Sequence, residues 1–184
     1  MFEKFKVLSR VELKSRQEVY TEQYCLAVKV EANLTIKMAK TIIFPAAIRY
    51  QGELAKTCAD LRAIGHTYHT GTLDTVTGLV KELHDAIAAL EESMAKKDTS
   101  SVPALARYYC DKVLPAMLAV RRVADNLEGI VADDLWPLPS KLPGNAVHQV
   151  IFGDGIRGYM VNVCIIFHIS PISLNYPLQI KQIC

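Results

Sequence analysis

Gly71-Thr-Leu-Asp-Thr-Val-Thr-Gly-Leu-Val-Lys-Glu-Leu-His-Asp-Ala-Ile-Ala-Ala-Leu-Glu-Glu-Ser-Met94 is the stretch that decides the fold. Its apolar residues Leu73, Val76, Val80, Leu83, Ile87, Leu90 and Met94 recur at alternating spacings of three and four. Such a heptad seam places one apolar stripe along a helix, and burying that stripe needs another helix alongside. A second seam runs through Ala106, Tyr109, Val113, Ala116, Val120, Val123, Leu127 and Ile130. Pro103 stands in the first turn of that pattern, where its missing donor is harmless, and Pro115 is expected to bend it.

Upstream, Ser9-Arg-Val-Glu12 matches a capping box and opens a helical run that reaches Gly65 with only Pro45 and Gly52 as breakers. Pro45 removes a backbone donor and crowds the turn before it, so a kink or two abutting helices is expected there. Ala47, Tyr50, Leu54, Cys58 and Leu61 form a stripe downstream of it. In the first half, Tyr20, Tyr24, Ala27, Leu34 and Met38 share a stripe in which Glu31 also falls. Such a carboxylate is a candidate buried functional group, although a seam-edge position or a basic partner is the commoner explanation. Gly65-His-Thr-Tyr-His-Thr-Gly71 is read as a loop, with Thr70 or Thr72 capping the next helix. Val131 to Pro139 is expected to be extended, because residues before proline avoid the helical region. Short connections between long helices make neighbours antiparallel. The fold class is therefore all-α: an elongated antiparallel bundle of three to four long helices, followed by an irregular tail.

Composition narrows the function. The 184 residues carry 21 Lys and Arg against 19 Asp and Glu, too even for a chain that binds nucleic acid through phosphates. No apolar run approaches the length of a membrane span, and the N-terminus lacks the apolar core of a secretory signal. Five scattered cysteines suggest neither a disulfide framework nor a zinc site, so a reduced, cytoplasmic protein is expected. The Glu-x-x-His pairs of a di-metal bundle do not occur, since in Glu82-Leu-His84 the two side chains point about 200° apart. His66 and His69 have no carboxylate or cysteine within their loop, and Asp133 and Asp134 read as capping or solvated residues. Asn33-Leu-Thr35 fits a glycosylation triplet but sits mid-helix.

Composition changes abruptly at Ser140. From Lys141 onward the only charged residues are Lys141, Asp154, Arg157 and Lys181, glutamate disappears, and isoleucine appears eight times. Gly153-Asp-Gly155-Ile-Arg-Gly158 imitates a dinucleotide-binding fingerprint, yet no acidic residue and too little chain follow it.

Several separated blocks then agree in order with one family. Ser15-Arg-Gln-Glu-Val-Tyr-Thr-Glu-Gln-Tyr24, Glu31-Ala-Asn33, Ile43-Phe-Pro-Ala-Ala-Ile-Arg-Tyr-Gln51, Val113-Leu-Pro-Ala-Met117 and Leu127-Glu-Gly-Ile-Val-Ala-Asp-Asp-Leu-Trp-Pro-Leu-Pro139 resemble the C-terminal helical region of type III glutamine synthetases. The resemblance covers residues 2–140. It implies a parent enzyme that joins ammonia to glutamate using ATP and Mg or Mn, assembled as a large ring-shaped oligomer. It also implies that the ATP, metal and glutamate ligands lie in upstream sequence, so no catalytic, cofactor-binding or metal residue is assigned here. The chain is expected to be a non-catalytic structural or oligomerisation domain without a cofactor of its own. Its expected partners are the parent's catalytic region and other subunits, with no nucleic acid or membrane. A stand-alone helical interaction module is the alternative, and an enzyme using His66 and His69 or Glu31 ranks third.

The resemblance also bears on the tail. The family continues past Trp-Pro-Leu-Pro with a short ending similar to Ser-Tyr-Gln-Glu-Met-Leu-Phe-Ile-Lys. Lys141 to Val150 can be encoded as AAG TTA CCA GGA AAT GCT GTT CAT CAA GTA, followed by the A that begins an isoleucine codon. Read from the second base, this gives AGT TAC CAG GAA ATG CTG TTC ATC AAG TAA, which is that ending and a stop. Residues 1–140 are thus expected to be the helical domain, and residues 141–184 an out-of-frame tail without a native fold; the alternative is an apolar strand pair docked on the bundle.

Overall fold

Ser9 caps the first helix as its sequence requires. Its amide donates to Glu12 Oε2 at 2.7 Å and its Oγ accepts from the Glu12 amide at 3.3 Å. The helix then runs on through most of the first third of the chain. The computed structural model describes residues 9–96 and 101–138. The expectations for residues 141–184, including the fate of the Gly153–Gly158 motif, lie outside the described residues.

The described residues form α1 (Arg10–Met38), α2 (Phe44–Ala63), α3 (Gly71–Ala95), α4 (Val102–Tyr108) and α5 (Leu114–Glu128), with no strand among them. Single π-helical turns, Ala39–Ile43 and Tyr109–Val113, join α1 to α2 and α4 to α5. There are therefore three continuous rods. At 1.5 Å per residue the first is about 80 Å long, and the second and third about 40 Å each. The expected bundle of three to four long helices is what the chain forms.

Both π turns end just before a proline. The Phe44 amide bonds to Ala39 O, five residues back, and the Leu114 amide bonds to Tyr109 O in the same way. Pro45 and Pro115 then occupy the second positions of α2 and α5. A proline ring crowds the carbonyl four residues back, and a wider turn opens the room that ring needs. The expected kink or break at Pro45 is thus a widened turn within one rod.

Three side-chain contacts fix the register. Lys40 Nζ meets Glu91 Oε1 at 2.6 Å, and Gln51 Nε2 donates to Thr77 Oγ1 at 2.8 Å, so the first rod and α3 run antiparallel. Tyr108 Oη donates to Ser93 O at 2.9 Å, tying α4 to the end of α3. The hairpin between α2 and α3 turns at Gly65, whose φ of 78° favours glycine. There the Gly65 amide bonds to Arg62 O and the His66 amide to Leu61 O.

One core runs through the bundle. The α3 seam supplies Val76, Leu83, Ile87, Leu90 and Met94, all buried, while Leu73 and Val80 are half-buried. The third rod supplies Ala106, Tyr109, Val113, Val120, Val123 and Leu127. On α1 the buried stripe differs from the expected one. It consists of Thr21, Tyr24, Cys25, Val28, Ala32, Thr35 and Met38, while Tyr20 is 48% exposed. The threonines are accommodated because each hydroxyl donates to its own helix, Thr21 to Gln17 O at 2.7 Å and Thr35 to Glu31 O at 2.8 Å.

The segment after α5 also departs from expectation. It turns rather than extends: the amides of Leu135 and Trp136 both bond to Ala132 O at 3.0 Å. This folds the Trp136 ring onto the core, 8% exposed, with Leu127 and Val131. The turn falls on residues 133–135, ahead of Trp136, so the extended bias of the residue preceding Pro137 does not act on it.

Candidate functional site

The residues singled out for chemistry are dispersed. His66 and His69 are both exposed in the α2–α3 loop. The His69 ring lies against Gly71, its Nδ1 3.3 Å from where a Cβ would stand. Thr70 Oγ1 donates to Asp74 Oδ2 at 2.9 Å, a contact that closes the first turn of α3. His84 sits 3.6 Å from Asp85 and leans on Phe44 with ring centroids 6.1 Å apart, and Glu82 is exposed nearby. Asp133 and Asp134 are exposed in the turn after α5. Among the described residues, no group of three or more His, Cys, Asp or Glu side chains is placed to hold a metal ion. The donor set of these residues therefore does not fit the divalent metal that the family resemblance implies.

Glu31 is half-buried on α1, and desolvation pushes its carboxyl above the usual carboxylate range. Within the core stripe, Cys25 is buried; desolvation first, and the Glu22 carboxylate second, raise its thiol. A thiol held in that form is a poor nucleophile. The Glu12 carboxyl is held low by its bonds to Ser9, a capping role.

Two features were not anticipated from sequence. A cleft of about 490 Å³ lies along α4 and its π turn, lined by Pro103, Ala104, Arg107, Tyr108, Asp111 and Lys112. The outer face of α1 carries Val19, Leu26 and Val30, which are 51%, 54% and 61% exposed. Their spacings of seven and four are a helical signal in the sequence, masked by the stronger stripe assigned through Tyr24 and Met38. Beyond these, α1 from Arg10 to Tyr20 is exposed except for half-buried Leu13, a helical overhang past the core. No helix among the described residues is long and apolar enough to cross a membrane. The arrangement offers exposed helix faces for packing, on α1 above all.

Comparison with known proteins gives a consistent pattern. Residues 1–62 match the glutamine synthetase C-terminal domain. The chain is 32% identical over 150 residues to a type-3 glutamine synthetase of Dictyostelium discoideum, covering 76% of this chain and 20% of that protein. It is 25% identical over 146 residues to a glutamine synthetase of Bacteroides fragilis (strain YCH46), covering 73% of this chain and 20% of that one. The chain thus spans about one fifth of the length of these curated relatives. No solved structure matches it.

Proposed function

This chain is related to the glutamine synthetases through their C-terminal domain, and from that premise we propose that it is the helical assembly part of such an enzyme. In this reading the bundle supplies packing surfaces to the catalytic region and to neighbouring subunits. ATP-dependent ligation of ammonia to glutamate, with its metal, takes place in the rest of the parent protein. The observation that carries the reading is the pairing of similarity with geometry. The match embraces about three quarters of this chain and one fifth of its relatives, and the described residues of the chain form a helical bundle in which Ser9 and Glu12 cap α1 while Lys40–Glu91 and Gln51–Thr77 tie the first rod to α3. Phosphoryl transfer to a carboxylate needs metal ions and positioned cations. The test is a glutamyl-hydroxamate assay on the purified 184-residue chain with ATP and Mg or Mn. The expected result is no turnover; activity that depends on ATP and metal and disappears in a Glu31→Gln or His66→Ala variant would replace this reading with an enzymatic one.

The tail enters the same proposal. We read residues 141–184 as the product of a frameshift near codon 140. The alternative-frame ending supports this, as does the abrupt change of composition after Ser140. Resequencing tests it: an uninterrupted frame in independent reads, with a detected peptide from 159–181, would contradict it.

A further inference from the structure

We infer that the outer face of α1 is a self-complementary seam on which a second copy of this chain docks antiparallel about a two-fold axis. The inference rests on the assembly reading and specifies one of its contacts. Glu12, Arg16, Val19, Gln23, Leu26, Val30, Asn33 and Lys37 follow one another at alternating spacings of four and three, the repeat of a coiled-coil seam. All eight are exposed. The seam lies on the far side of the helix from the core, since Val30 stands two residues, about 200°, beyond buried Val28. It is therefore a second seam on a helix whose first seam is already filled.

The order of side chains selects the occupant. The four central positions are Val19, Gln23, Leu26 and Val30, three of them apolar, while one end carries Glu12 and Arg16 and the other Asn33 and Lys37. Slide an identical helix over it antiparallel, and one register superimposes the whole seam on itself. In that register Glu12 meets Lys37 of the second copy, Arg16 meets Asn33, Val19 meets Val30, and Gln23 meets Leu26. Each contact occurs twice, as a two-fold interface requires. A parallel arrangement would set Glu12 against Glu12 and Lys37 against Lys37, and like charges at such positions disfavour pairing. The Glu12–Lys37 pairing at both ends, together with the largely apolar centre, therefore selects a second copy as the partner and sets its direction.

The test uses the full chain. Light scattering over a wide concentration range should show a monomer–dimer equilibrium. Leu26→Lys, at an exposed position that leaves the fold intact by circular dichroism, should raise the dimerisation midpoint by roughly tenfold or more. Lys37→Glu should weaken the dimer as well. For direction, Val19 and Val30 lie about 16 Å apart along one helix, beyond the ~7 Å a disulfide spans, so a bond between cysteines placed there must join two chains. A variant carrying both Val19→Cys and Val30→Cys should yield, by peptide mapping, a disulfide that links position 19 of one copy to position 30 of the other. Val19→Cys alone should yield no disulfide between the two copies of position 19. A chain that stays monomeric overturns the inference, as does a 19-to-19 bond in that single variant. A dimer unaffected by Leu26→Lys also overturns it but leaves the assembly reading standing, because the contact then uses another face. Protection of the seam only by the parent's catalytic region would likewise overturn the second copy as its occupant.

Discussion

Val28 and Val30 stand two residues apart on α1, and the structure gives them opposite fates: Val28 is 2% exposed and Val30 61% exposed. Truncating each to alanine separates the two faces of the helix. Val28→Ala removes two buried carbons, worth about 1.6 kcal/mol of transfer free energy at ~0.8 kcal/mol per carbon, and leaves a cavity that adds to the loss. Alanine's higher helix propensity returns about 0.6 kcal/mol, so the net cost is about 2 kcal/mol. Val30→Ala forfeits only its minor buried fraction, about 0.6 kcal/mol, which the same propensity gain cancels. Urea unfolding followed by the helical circular dichroism signal, at a concentration where the chain is monomeric, reads both. With a slope of roughly 2 kcal/mol per molar, Val28→Ala should lower the midpoint by about 1 M and Val30→Ala should leave it in place. Equal shifts, or a larger one for Val30→Ala, would refute the assignment of the buried face of α1.

Further outcomes follow from other contacts. Burial raises the Glu31 carboxyl above its ordinary value of 4.5, so the folded state holds its proton to higher pH than the unfolded state. Stability from this group is present below that value and lost as pH rises through the folded pKa. Glu31→Gln should therefore unfold at higher urea than the native chain near neutrality, with the difference vanishing at low pH. A double-mutant cycle on Lys40 and Glu91, both about half exposed, should give a coupling of about 0.5 kcal/mol that shrinks with added salt. Gly65→Ala should cost about 1 kcal/mol in thermal unfolding, because an alanine is strained at φ 78°. Leu83→Ala, fully buried at the centre of α3, should cost about 2–5 kcal/mol in the same experiment.

The seams on α3 and on the third rod were legible in the sequence because large aliphatic residues carry them without interruption. The α1 stripe was not, for a physical reason. Much of what it buries is small or polar, namely Thr21, Cys25, Ala32 and Thr35, whereas Val19, Leu26 and Val30 face outward. A pattern of hydrophobicity cannot anticipate that a threonine satisfies its hydroxyl on its own helix and so enters a core with its donor paired. The π turns were hidden too, since a proline in a helical pattern announces a disturbance without saying whether the chain will bend, break or widen. After α5 the turn at residues 133–135 precedes the pre-proline residue, and it lets Trp136 be buried with the core, which the proline signal alone did not announce. The ordered family blocks gave the relationship to glutamine synthetases, because the type-3 relative matches most of this chain in order. Neither approach gave the outer seam, which becomes visible only once the inner one is placed.

One long sequencing read across the locus, from well upstream of codon 1 to beyond codon 184, bears most directly on the central claim that this bundle is the helical part of a glutamine synthetase. The account predicts a ligase catalytic sequence upstream that runs toward Met1. It also predicts a single-base change near codon 140 whose correction restores Ser-Tyr-Gln-Glu-Met-Leu-Phe-Ile-Lys and a stop. An upstream region with no relation to the ligase, together with an intact frame through codon 184, would contradict it.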